Sequence, residues 1–257
     1  NPANALAMAS SFASEQDRLE FLRGVYAVWS RNDPLAALDY ARSSLAPGTA
    51  RNETIGIAMN RWGSADPRAA WQWAEQNLSG PLKDQALTDL VIGWTRRAPT
   101  VASQWLASTG YISQPMLNAV AGTWAEQNPA AAVTWASSLT NTEARRTAEA
   151  AAVTGWAEQN PEEAAAYVEK RVSGETGQPV TPEEAVSLAG VISRIWGQSN
   201  PQEAAAWVNK LTDSAERLEA ASTLAMVWAS SDIQGATAWS ATISDPAVRR
   251  QVITHIG

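Results

Sequence analysis

Two carboxylate pairs, Glu162-Glu163 and Glu183-Glu184, are the residues best placed by type to do chemistry. Neighbouring acids can divide general-acid and general-base roles between them. Each pair directly follows a proline, Pro161 or Pro182, so it occupies the first turn of a helix, where the helix dipole favours negative charge for structural reasons. His255 is the only histidine, close to the end of the chain, with no nucleophile motif beside it. The 257 residues include no Cys, which removes thiol nucleophiles, disulfides and His/Cys metal sites. No phosphate loop, dinucleotide fingerprint or calcium loop is present. The expectation is a non-catalytic chain with no cofactor and no metal.

Aromatic and basic residues are the remaining candidates, and their chemistry is binding. Thirteen Trp stand against 2 Phe and 4 Tyr. Indole faces can stack sugars or unpaired bases, at about 1–3 kcal/mol per base. A basic residue also recurs eleven positions before a Trp, at Arg18, Arg51, Lys83, Arg145 and Arg217. Such a ladder either lines one edge for an acidic partner or forms salt bridges and caps to a neighbouring helix pair. Trp71 is the one Trp outside the repeating pattern. It reads as an exposed anchor or as a local packing variant. As an anchor, Trp71→Ala weakens partner binding with little loss of melting temperature; as packing, it costs stability. The candidate binding residues are therefore Trp71, Arg18, Arg51, Lys83, Arg145 and Arg217.

The pattern itself says which elements hold these side chains. Trp occurs at 29, 62, 94, 124, 156, 196 and 228. Five residues after the first six stands Pro34, Pro67, Pro99, Pro129, Pro161 or Pro201, and Ile233 takes that place in the seventh. Eight residues after each Trp comes Ala, and eleven after comes Trp or Tyr. The motif is W-x4-P-x2-A-x2-[WY], seven times over. This fixed register makes the tryptophans inter-helix core rather than a ligand platform, which needs no constant period.

Each unit reads as two helices. Phe21, Leu22, Val25 and Trp29 space an apolar stripe at the helical period, as do Ala86, Leu87, Leu90 and Trp94. The chain then turns at Asp or Asn before Pro, as at Asp33-Pro34 and Asn160-Pro161. An Asx side chain accepts from the free N–H groups of a helix start, and Pro at the first helical position loses a donor that had no partner. Glu163 and Glu203 stand where a capping-box carboxylate would. One such pair cannot bury its apolar face alone, so neighbours must stack. The predicted fold is all-α: a right-handed αα-hairpin solenoid of about seven ~32-residue repeats, residues 1–257 forming one helical-repeat domain. Partial repeats at 1–17 and 245–257 suggest a piece of a longer protein. An insertion loop at 171–182 accounts for the long interval between Trp156 and Trp196.

The helix-turn-helix unit in the low thirties, its turn proline and the six-residue step from Pro34 to Tyr40 or Pro67 to Trp73 resemble the tetratricopeptide class of repeats. The Leu-Gly-x2-Tyr continuation of that class is absent, since Trp73 is followed by Ala-Glu-Gln-Asn. The resemblance is one of architecture, and no site residue carries over. It implies a curved αα superhelix with a concave groove for peptides or partner proteins.

Composition narrows the partners. Net charge is −7 and 3 of the 19 basic residues are Lys, which excludes a nucleic-acid footprint. No apolar stretch approaches the ~20 residues of a membrane span. The functional expectation is a protein–protein or peptide-binding scaffold. The alternative is a glycan- or peptidoglycan-associated accessory module of a bacterial envelope protein, beside an enzyme outside this segment. Arg over Lys and abundant Ala point to a high-GC bacterium, and zero Cys fits an envelope or periplasmic setting. Uncapped apolar ends make end-to-end self-association an expected hazard.

Overall fold

Proline after Asp or Asn forces the preceding residue out of the helical region, so such a dipeptide separates one helix from the next at 33–34, 66–67, 128–129, 160–161 and 200–201. In the computed structural model, which describes Ala5 and residues 7–109, 113–175 and 180–256, this logic produces fifteen α-helices and no strand among the described residues. Long helices α1 (Glu15–Asn32), α3 (Thr49–Ala65) and α5 (Gly80–Arg97) alternate with short α2 (Pro34–Ser44), α4 (Pro67–Asn77) and α6 (Pro99–Thr109). Then follow α7 (Gln114–Ala125), α8 (Pro129–Ser137), α9 (Thr142–Gln159), α10 (Pro161–Val172) and α11 (Pro182–Ser199). The chain finishes with α12 (Pro201–Val208), α13 (Ser214–Ser231), α14 (Ile233–Thr242) and α15 (Pro246–Ile256).

The corners are nearly identical. Asp33, Asp66, Asn160, Asn200 and Asp232 each sit near φ −145°, ψ 85°, donate their N–H to the motif Trp carbonyl behind them, and accept an N–H of the helix ahead on the side chain. Asn128 does the same although α7 ends three residues earlier. Ala98 takes this conformation with no Asx side chain, and Asp232 takes it before Ile233 rather than Pro. Either determinant alone is enough to build the corner. The expected carboxylate at the third position of the short helix does something else at Glu163, whose Oε2 lies 3.4 Å from Trp156 Nε1. A reciprocal capping box forms instead at Thr181 and Glu184.

Packing explains the rest of the motif. The alanine eight residues after each Trp (Ala37, Ala70, Ala102, Ala132, Ala164, Ala204 and Ala236) is fully buried where the short helix meets its long partner. Beside it, in six of the hairpins, the motif Trp and the aromatic eleven residues on pair across the hairpin. Ring centroids are 5.7 Å apart for Trp29–Tyr40, 5.0 Å for Trp94–Trp105 and 5.9 Å for Trp228–Trp239. Such pairs add about 0.5–1.5 kcal/mol beyond burial. All thirteen tryptophans are buried or half-buried, and none stands free as a stacking platform.

The chain forms two compact units, Asn1–Thr123 and Trp124–Gly257. In the first, α1, α3 and α5 pack side by side, and α2 and α4 each fill the groove between the long helices that flank them in sequence. In the second, α9, α11, α13 and α15 form the row of neighbours, with α10, α12 and α14 each packed on the long helix before and after. Within the first unit α3 and α5 approach at backbone distance. A Cβ at Gly63 would overlap the Leu90 carbonyl, and one at Gly93 the Asn60 carbonyl. The expected loop at 171–182 is shorter than its sequence suggests, because α10 continues through Val172 and Arg171 is one of its buried residues. Residues 176–179 of that loop lie outside the described residues.

Candidate functional site

The basic ladder is drawn into the protein's own contacts. Arg18 pairs with Glu15 one turn back on α1. Lys83 Nζ lies 3.4 Å from Glu75 on α4. Arg145 reaches forward from α9 to Glu184 on α11 at 3.3 Å. Arg217 donates to the Leu211 carbonyl at 2.9 Å and lies 3.3 Å from Asp245, just ahead of α15. Arg51 is half-buried, its Nε without a hydrogen-bond partner. Four of the five thus tie a helix to itself or to a neighbour.

Trp71 is half-buried on α4 and meets Trp105 of α6 edge-on, centroids 4.7 Å apart and planes at 76°. Trp105 in turn packs on Trp94. An indole wedged in a three-ring cluster contributes to folding, so Trp71→Ala is expected to cost about 2 kcal/mol of stability, read from a urea unfolding curve. A change below about 0.5 kcal/mol would return Trp71 to the role of exposed anchor.

Of the two carboxylate pairs, Glu184 is the member drawn into ion pairs. Glu184 is 5% exposed and collects Arg146 Nε at 2.9 Å, Arg145 Nη2 at 3.3 Å and the Thr181 backbone N–H at 3.1 Å. Burial pushes its carboxyl up, but Arg146, the Thr181 N–H and Arg145 together outweigh that and hold it below the ordinary value of 4.5. A carboxyl lowered on folding stabilises the protein above its unfolded pKa, and that contribution disappears as pH falls through the folded value. Stability measured by urea unfolding between about pH 7 and about pH 3 should therefore drop on the acid side of 4.5, and Glu184→Gln should flatten the drop. An unchanged acid limb in Glu184→Gln counts against this assignment. His255 is exposed, with Nδ1 2.8 Å from the Gln251 carbonyl one turn back.

Two features carry no sequence signal. The first is a buried ion pair: Arg171 on α10, 1% exposed, donates through Nε to Glu149 Oε1 at 2.7 Å, and Tyr167 donates to the same oxygen at 2.8 Å. Burial raises the Tyr167 hydroxyl pKa, and Glu149 raises it further.

The second is a groove of about 650 Å³ on the exposed face of α1, α3 and α5. Arg23 and Glu53 close one side through a two-pronged pair at 2.8 and 3.0 Å. Asn60 crosses from α3 to donate to the Asp89 carbonyl oxygen at 3.0 Å, which fixes the floor. The Asp89 side chain, half-buried there, receives Gln85 Nε2 at 3.3 Å and no cation. Burial pushes its carboxyl above the ordinary value against that hydrogen bond. Gly56, opposite, leaves the space Asp89 occupies. Arg61 and Arg96 flank the opening, and Asn52 adds an exposed amide. A wall of amides, a desolvated acceptor and paired signs of charge suits an extended polypeptide, whose main chain offers both donors and acceptors.

No group of three or more His, Cys, Asp or Glu residues suited to a metal occurs among the described residues. No helix among them is long and apolar enough to cross a membrane. Comparison with known protein families, curated proteins and solved structures finds no match to this chain.

Proposed function

We propose that the chain is a right-handed αα-hairpin solenoid of about seven repeats, resembling the tetratricopeptide class, and that it works as a non-catalytic scaffold. Its first unit binds an extended segment of a partner protein in the groove over α1, α3 and α5. The observation that carries this reading is the Asp89 carboxylate, half-buried on the groove floor with a single amide donor and no cation. A half-buried acceptor with one amide donor has room for an incoming N–H or a cationic side chain.

The test is selection of peptides from a random display library on the whole protein, followed by affinity measurement on the Arg61→Glu/Asp89→Lys variant. Selected peptides should lose at least about tenfold in affinity for that variant, while its melting curve stays close to that of the parent. Equal binding by parent and variant, or retention on isolated peptidoglycan with no peptide selected, overturns the reading.

A further inference from the structure

Two side chains in the groove over α1, α3 and α5 depart from the register of the tryptophan motif. Five residues before the motif Trp stands Asp89, where the other six hairpins carry Gly24, Ile57, Ala119, Ala151, Val191 and Thr223. One residue before it stands Arg61, where the other six carry Val28, Gly93, Thr123, Gly155, Ile195 and Val227. An acid and a base thus replace neutral residues on successive long helices, α5 and α3. The packing of those helices gives the two departures meaning, because both side chains line one groove.

Neither charge is taken up by an ion pair among the described residues. Asp89 receives Gln85 Nε2 at 3.3 Å on Oδ2, while its Oδ1 accepts no hydrogen bond and keeps accessible surface. Arg61 is exposed. Arg23 and Glu53, in the same groove, satisfy each other. Asp89 and Arg61 do not meet. The carboxylate lies beside Gly56, and Arg61 is five residues further along α3, about 7.5 Å by helical rise. An extended segment advances about 3.3 Å per residue, so two or three residues span that interval. A segment carrying the opposite charge at each point gains both contacts, and one carrying a like charge at either point is repelled.

We propose that the partner segment bound in this groove carries a lysine or arginine and, two or three positions away, an aspartate or glutamate. The cation meets Asp89 Oδ1 and the carboxylate meets Arg61. This rests on the groove taking an extended polypeptide, as proposed above, and adds which side chains that polypeptide must bring.

Parallel selections from a random peptide display library on the whole chain and on its Asp89→Asn and Arg61→Gln variants test it. Asp89→Asn keeps the shape of the side chain and Arg61 is exposed, so both variants should melt close to the parent. Peptides selected on the parent should share a basic and an acidic residue at the stated spacing. Those selected on Asp89→Asn should keep the acidic residue and lose the basic one, and those selected on Arg61→Gln should show the converse. In a synthetic peptide from the parent selection, norleucine in place of the basic residue should weaken binding to the parent about tenfold, and to Asp89→Asn less than about twofold. Selected peptides without that charge spacing, or a basic preference that persists on Asp89→Asn, overturn this inference and leave the groove as a peptide site. A library that yields no binder to the parent overturns the peptide reading itself, and this inference with it.

Discussion

Arg171→Ala is expected to destabilise the second unit by about 3–5 kcal/mol, because it strands the Glu149 carboxylate in the interior with only Tyr167 to satisfy it. Both partners are nearly inaccessible, Arg171 at 1% and Glu149 at 3%, so water cannot replace the lost guanidinium. Burial draws the Arg171 pKa down, yet the hydrogen bond and charge of Glu149 prevail and hold it above its ordinary value. The double variant Arg171→Met/Glu149→Leu removes both charges together, and should be near-neutral or more stable than the parent. Urea unfolding of the three proteins checks this. A single-variant cost below about 1 kcal/mol would mean that Glu149 finds water or another partner on relaxation.

The second large effect is in the first unit. Gly93→Ala should cost about 3 kcal/mol or more, because the new methyl group meets the Asn60 carbonyl, which is backbone and cannot swing aside. Prising α3 from α5 also breaks the Asn60 bond to the Asp89 carbonyl, so the peptide binding proposed for the groove should weaken with stability. Gly24→Ala on α1 provides the contrast, since nothing lies within 4 Å of a Cβ built there. Removing a helical glycine from open space should raise stability by about 0.5–1 kcal/mol. Thermal melting of both variants decides the matter. Similar behaviour of the two would remove the close approach of α3 and α5 as the reason for glycine at 93.

The helices and their corners could be read from the chain because one local rule, Asx then Pro, dictates them and is repeated often enough to stand out. The core followed from the same register: the alanines at the eighth position are all fully buried. What escaped depends on contacts between helices with no fixed spacing. Glu149 and Arg171 meet across a separation of 22 residues that occurs once. The groove is assembled from α1, α3 and α5, and Asp89 is one acid among the 26 Asp and Glu residues until α3 is laid against α5. The basic ladder was legible as a pattern, but its partners Glu75, Glu184 and Asp245 hold no common position relative to it. One signal was available and unread: Gly56-Gly63 and Gly190-Gly197 share a seven-residue step, which places glycine twice on one helical stripe.

The near-identical corners also decide where this protein tolerates added length. A single residue, such as Asp66 or Asn200, ends one helix and starts the next. Inserting one residue there would turn the short helix by about 100° and take its alanine off the long helix. The opposite connections, from a short helix to the next long one, already run from two residues at 78–79 to nine at 173–181. Lineages that lengthen or decorate such a chain must do so at those junctions. A fluorophore, protease site or grafted loop placed at 45–48 or 209–213 should leave the fold intact, whereas the same graft after Asp66 should not.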